Sequence, residues 1–258
     1  LGVFGVALGT VILPSLSRHH VGTDRAGFSK ALDWGLRITL LIAVPAAIAL
    51  ALLAEPLVAT LFQNGQYTAF DTRMTAAAVL ALSCGLPAYA LVKVVLPAFY
   101  SRQDTRTPVK AGVASLVINM IFNGLLIALF FELWAPASVK QGSWLDGIAQ
   151  VPGLHVGLAL ASALASYVNF MLLWRWLKRA GVYQRQPGWA RHWLRLGSSC
   201  LAMAAVLLLG RWLWPEWVHG VAVATRLWRL AVLVVAGAGT YVAVLFAGGF
   251  RLRDLRGA

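Results

Sequence analysis

The chain has 258 residues, 60% of them hydrophobic and 12% charged, with a net charge of +13 and a mean hydropathy of +0.74. A soluble domain carries about 25% charged residues, so this composition excludes an ordinary soluble enzyme. The positive surplus alone would suggest nucleic acid, but in so apolar a chain its placement matters more, and no nucleic-acid partner is expected.

The apolar residues form long blocks. Leu1 to Ser17 is apolar and closes on Arg18-His19-His20. Its charges follow the run instead of preceding it, and there is no initiator Met, so it reads as a helix entered part-way in a fragment, not as a signal peptide. Gly22 to Arg25, followed by Phe28, Leu32 and Trp34, reads as an amphipathic interfacial stretch. Ile38 to Ala54, Met74 to Val92, Ala111 to Phe131, Val156 to Trp174 and Leu230 to Phe250 carry no charge. Each approaches the ~20 residues that span a bilayer core. Leu196 to Gly210 is shorter, and Trp193, Trp212 and Trp214 extend it to the interfaces. The expectation is an all-α membrane protein, a polytopic helical bundle of about seven transmembrane helices with short loops.

Sixteen of the 22 basic residues fall in alternate loops: after the first block, at Arg102, Arg106 and Lys110, from Arg175 to Arg195, and from Arg251 to Arg256. By the positive-inside rule these loops and the carboxy terminus are cytoplasmic. Arg226 and Arg229 enter the last block from the other side and are expected to snorkel to headgroups beside Trp228.

No phosphate loop, metal-spaced histidine pair or nucleophile elbow occurs. No catalytic residue, metal site or cofactor is assigned. His155, His192 and His219 sit near predicted interfaces, and Cys84 and Cys200 read as buried core residues. Lys93 lies about two turns inside the third span, where an ionisable group costs several kcal/mol unless it meets a cavity or partner. It is read either as an anion-binding group on a substrate path or as a lysine snorkelling to headgroups. Asn119 and Asn123 are four apart and share a helix face; their amides suit helix–helix hydrogen bonds or a cation. Pro45, Pro87 and Pro97 permit bends. Gly5 with Gly9, and Ala159 with Ala163, give small faces for close packing.

Gly5-Val-Ala-Leu-Gly9-Thr-Val-Ile-Leu-Pro14-Ser-Leu-Ser17 resembles the eighth helix of the MurJ/MviN family of lipid II flippases, and Asp33-Trp34-Gly35-Leu36-Arg37 continues the likeness. Leu61 to Asp71 is similar to the family's outer loop. Val92-Lys93-Val94 with Pro97 to Lys110 is the most specific block, and Gln186-Pro187-Gly188-Trp189 follows the family style. The resemblance implies helices 8–14 of a fourteen-helix flippase within the multidrug/oligosaccharidyl-lipid/polysaccharide exporter superfamily, in the bacterial inner membrane. It implies lipid II as substrate, membrane lipids and the amino-terminal half of the same protein as partners, and alternating access as mechanism. Residues 1–190 would be the carboxy-terminal transport lobe and 191–258 the final two helices, forming a groove for the polyprenyl tail. Lys93 resembles the family's cavity lysine, and Arg102 and Asp104 would shape a cytoplasmic gate. Some members hold sodium with an Asn and an Asp at the places of Asn119 and Asn123. The second Asn here removes a formal charge, which weakens the case for sodium coupling. The other readings from the same residues are an exporter of another lipid-linked glycan or drug, and a non-transporting cell-wall scaffold.

Overall fold

The computed structural model describes residues 24–140, 144–181, 183–218 and 221–251. The block from Leu1 to Ser17, His219 and the last arginines, Arg253 and Arg256, lie outside them. The described residues form helices and connecting turns: α1 (Arg25–Leu52), α2 (Ala54–Phe62), α3 (Ala69–Ser83), α4 (Leu86–Tyr100), α5 (Arg106–Trp134), α6 (Ala137–Lys140), α7 (Trp144–Gln150), α8 (His155–Arg179), α9 (Trp189–Leu213) and α10 (Val223–Ala247). Six candidate spans, by length and apolar composition, lie among the described residues: α1, the α3–α4 run, α5, α8, α9 and α10.

Local chemistry sets the helix starts. Asp24 accepts the Gly27 N–H at 2.8 Å and opens α1. Thr68 and Asp71 form a reciprocal capping box at α3, which satisfies two of the N–H groups a helix start leaves unpaired. Asp104 accepts the Thr107 N–H at 3.0 Å in the first turn of α5.

α1 is the centre of the bundle, with α3 and α4 on one side and α9 on the other. Its first turns are not interfacial, as the amphipathic pattern suggested. Phe28 and Leu32 are fully buried in one continuous helix, because the face that looked membrane-seeking is the face that meets α4, α8 and α9 in the main core. α8 packs on α3, α4 and α5, α10 packs on α9, and α5 is outermost. Leu116, Met120 and Leu133 of α5 are exposed, as on a helix facing lipid.

Lipid tails are as apolar as Leu, so close packing and interhelical hydrogen bonds hold such a bundle together. The third span breaks at Cys84–Gly85, between α3 and α4. A methyl on Gly85 would come within 2.8 Å of the Ala163 backbone on α8. The small face formed by Ala159 and Ala163 therefore does pack closely. The Tyr89 hydroxyl donates to the Ser162 carbonyl at 3.0 Å and the Tyr167 hydroxyl to the Cys84 carbonyl at 2.8 Å. Cys84 itself is exposed, contrary to the core reading, because it sits at this break; Cys200 is buried. α9 and α10 interlock reciprocally. A methyl on Gly210 would overlap Leu233, and one on Gly237 would come within 2.9 Å of Leu207.

One of the two arginines that enter the last span behaves differently from expectation. Arg226 does not snorkel: it is 7% exposed and donates to the Ala59 carbonyl at 3.1 Å, with longer bonds to the Gln63 and Val218 carbonyls. It thus satisfies carbonyls that the end of α2 leaves without intrahelical partners. Arg229 donates to the Glu216 carbonyl at 3.1 Å and lies over the Trp214 ring.

Candidate functional site

α4 presents two faces. Ala88, Leu91, Val95 and Ala98 are buried against the bundle, while Tyr89 and Tyr100 are exposed and Lys93 is half-buried between them. Spacings of four and seven put these three side chains on one stripe. Lys93 is seven residues from the end of α4, or about 10 Å at 1.5 Å per residue. The lysine therefore stands on the more exposed face of α4, well inside the span.

Arg102 and Asp104 lie in the tight turn joining α4 to α5, where Gln103 adopts φ +57°. With Lys110 and Trp176 they line an open cleft of about 330 Å³. The Thr107 hydrogen bonds hold the Asp104 carboxyl below the ordinary carboxylate range, with Arg102 adding to the effect. The capping bond gives Asp104 a structural task in this turn.

Asn119 and Asn123 lie on α5, and the amide oxygen of each is shielded without a hydrogen-bond partner; so is that of Asn169 on α8. No group of three or more His, Cys, Asp or Glu side chains suited to a metal occurs among the described residues.

The best-built polar constellation is one the sequence did not single out. Asp33, 3% exposed on α1, accepts from the Tyr183 hydroxyl at 2.6 Å and from Trp189 Nε1 at 2.8 Å. Its second oxygen lies 2.6 Å from Arg37 Nε, an ion pair without good hydrogen-bond alignment. Arg37 in turn donates to the Pro187 carbonyl at 2.7 Å and lies over the Trp189 ring. One turn earlier, Ser29 exchanges hydrogen bonds with Gln184, each at 2.8 Å. Burial, reinforced by the Asp33 carboxylate, pushes the Tyr183 phenol well above its ordinary pKa. The Asp33–Arg37 motif and the Gln186–Trp189 motif are thus two sides of one latch between α1 and the start of α9. Beside it, His192 is half-buried with a shielded, unpartnered Nε2. His155 is exposed, with Nε2 3.0 Å from the Met74 carbonyl.

The model of the lipid II flippase MurJ family matches residues 1–227. The chain belongs to that family. A probable lipid II flippase MurJ of Vibrio cholerae is 35% identical over 265 residues, covering 100% of this chain and 45% of that protein. The lipid II flippase MurJ of Burkholderia cenocepacia is 36% identical, covering 80% of this chain and 35% of its own length. A probable lipid II flippase MurJ of Haemophilus influenzae is 34% identical, covering 99% and 46%. The chain spans less than half the length of these relatives. Family membership and the six apolar helices among the described residues make it part of a multi-pass inner-membrane protein.

Proposed function

We propose that this chain forms the carboxy-terminal half of a lipid II flippase, which carries the undecaprenyl-diphosphate-linked peptidoglycan precursor from the cytoplasmic to the periplasmic leaflet by alternating access. The observation that carries the reading is Lys93. An ionisable group so deep in a span marks a substrate or ion pathway, and this one lies on the partly exposed stripe of α4. With the amino-terminal half opposite that stripe, its ammonium would meet the substrate's diphosphate in a low-dielectric cavity. Arg102 sits at the mouth of the same span, where it would draw the anion inward; Asp104 holds the turn that presents it.

In this reading the final two helices, from residue 191 on, guide the polyprenyl tail. Their interface is closed by the Gly210–Leu233 and Gly237–Leu207 contacts, so the tail would lie along outer faces bearing Leu201, Leu208, Val235 and Val242. The alternating basic loops support a cytoplasmic carboxy terminus. Asn119 and Asn123 offer a sodium ion two shielded, neutral amide oxygens and no charge. Any cation coupling through this half alone would be weak.

The test uses the full-length parent gene in bacteria depleted of their own flippase. Lipid II reaching the outer leaflet is measured for wild type and for Lys93→Ala at matched membrane levels. Wild-type rescue with loss in the variant is the expected result. Rescue by both proteins would remove Lys93 from the pathway. Failure of the well-expressed wild type would favour an exporter of another lipid-linked glycan or drug, or a cell-wall scaffold.

A further inference from the structure

We propose that the cleft between α1, the start of α9 and the end of α10 is a binding site for the phosphodiester headgroup of an anionic membrane phospholipid. The cleft has a volume of about 440 Å³, and Lys30, Arg37, Arg191 and Arg195 all line it. Its one carboxylate, Asp33, is already engaged by Arg37, Tyr183 and Trp189. Lys30, Arg191 and Arg195 form no ion pair with any carboxylate among the described residues. Three like charges around one hollow repel each other unless an anion lies between them.

Two further features point into the same hollow. Arg195 is laid against Gly248 and Gly249 at the end of α10. A methyl on Gly249 would come within 3.2 Å of Nη2. The guanidinium is seated by the backbone, yet Nε is shielded without a partner. A shielded donor of this kind is costly unless something accepts from it. The start of α9 adds a backbone donor. The first intrahelical bond runs from the His192 N–H to the Gly188 carbonyl at 3.0 Å, so the N–H of Arg191, a residue that lines the cleft, precedes the ladder, and no side chain caps it. This donor and the positive end of the helix dipole favour a phosphate.

A lipid is favoured over a soluble anion because the cleft is only half polar. Leu41, Leu245 and Phe250 complete its walls, at one end of three membrane spans. The basic-loop pattern puts that end at the cytoplasmic leaflet, where basic pockets between helices capture acidic headgroups. The site does not depend on Lys93 or on the transport reading.

The experiment uses the full-length protein in nanodiscs of phosphatidylcholine doped with phosphatidylglycerol, with retained lipid counted by native mass spectrometry. Arg191→Gln and Arg195→Gln should each lower phosphatidylglycerol retention about fivefold, the effect of one basic residue at a membrane surface. The double variant should lose more, and Lys110→Gln, in the other basic cleft, should change nothing. Arg191 is exposed and makes no side-chain bond, so its variant reports on binding even if Arg195→Gln folds poorly. Equal retention of the two lipids, or unchanged retention in Arg191→Gln, would overturn the proposal. Protection by inorganic phosphate without any phosphatidylglycerol preference would reassign the cleft to a soluble anion and overturn it equally.

Discussion

Removing the Asp33 carboxylate should destabilise the protein more than any other single polar change at this end of the bundle. Its side chain is 4% exposed and faces three donors. Alanine would leave the Tyr183 hydroxyl and Trp189 Nε1 without their acceptor, at about 1–3 kcal/mol each. Arg37 would suffer less. It is 24% exposed and keeps its 2.7 Å bond to the Pro187 carbonyl, so we assign it about 1 kcal/mol after solvent screening. The expected loss for Asp33→Ala is therefore about 5 kcal/mol. Asp33→Asn keeps one carbonyl oxygen for Tyr183 and Trp189 but turns an amide donor towards Arg37, for a loss of about 2 kcal/mol. Denaturant titration of the detergent-solubilised full-length protein, followed by tryptophan fluorescence, reads both values. A double-mutant cycle separates the ion pair from the rest, because Asp33→Leu with Arg37→Met strands no charge and should cost less than the sum of the single changes. A loss below about 1 kcal/mol for Asp33→Ala, or a strictly additive cycle, would refute the claim that this carboxylate holds the latch.

Three further tests address other parts of the fold. The Asp104 carboxyl titrates below its ordinary value through its Thr107 hydrogen bonds. It therefore stabilises the start of α5 above the unfolded carboxylate pKa of about 4, and that stability is lost as pH falls through the lowered folded value. Asp104→Asn, which can still cap, should keep neutral-pH stability within about 0.5 kcal/mol and flatten the acid limb of a thermal-denaturation profile. Gly210→Val should separate α9 from α10 at a cost of about 1–3 kcal/mol, whereas Gly239→Ala, with open space around it, should be neutral in the same assay. Arg226→Met should cost about 2 kcal/mol by stranding the Ala59 carbonyl in the interior. Arg229→Met should cost less than about 1 kcal/mol, and equal effects would restore the snorkelling account of both arginines.

The spans were legible in the sequence because a bilayer imposes a length on them that no soluble fold demands. Uncharged blocks such as Ala111 to Phe131 and Val156 to Trp174 fall inside single helices, α5 and α8. The small pair Ala159 and Ala163 likewise announced a close approach, although not that Gly85 would supply the other side. Burial of charge was less legible. Arg226 and Arg229 are three apart beside the same tryptophan, and periodicity gives no reason to treat them differently. The difference arises because only Arg226 meets the end of α2, more than 160 residues earlier in the chain.

The latch was illegible for a related reason, although each half was visible. Asp33-Trp34-Gly35-Leu36-Arg37 and Gln186-Pro187-Gly188-Trp189 both stood out as short motifs, but about 150 positions separate them. One local signal was available. Asp33 follows Leu32 and precedes Leu36 at the edge of an apolar block, and an acid that a membrane helix carries into its packed face must bring donors to it. Arg37 supplies one at the four-residue spacing; the remaining lone pairs required donors from outside the helix. A tyrosine and a tryptophan around a Pro-Gly turn at the mouth of a later span are side chains that can donate while remaining largely apolar. That chemistry explains how α9 is held to the central helix. It also leaves Arg191 and Arg195 without a carboxylate of their own, so the latch that consumes Asp33 creates the cationic surplus of the adjoining cleft.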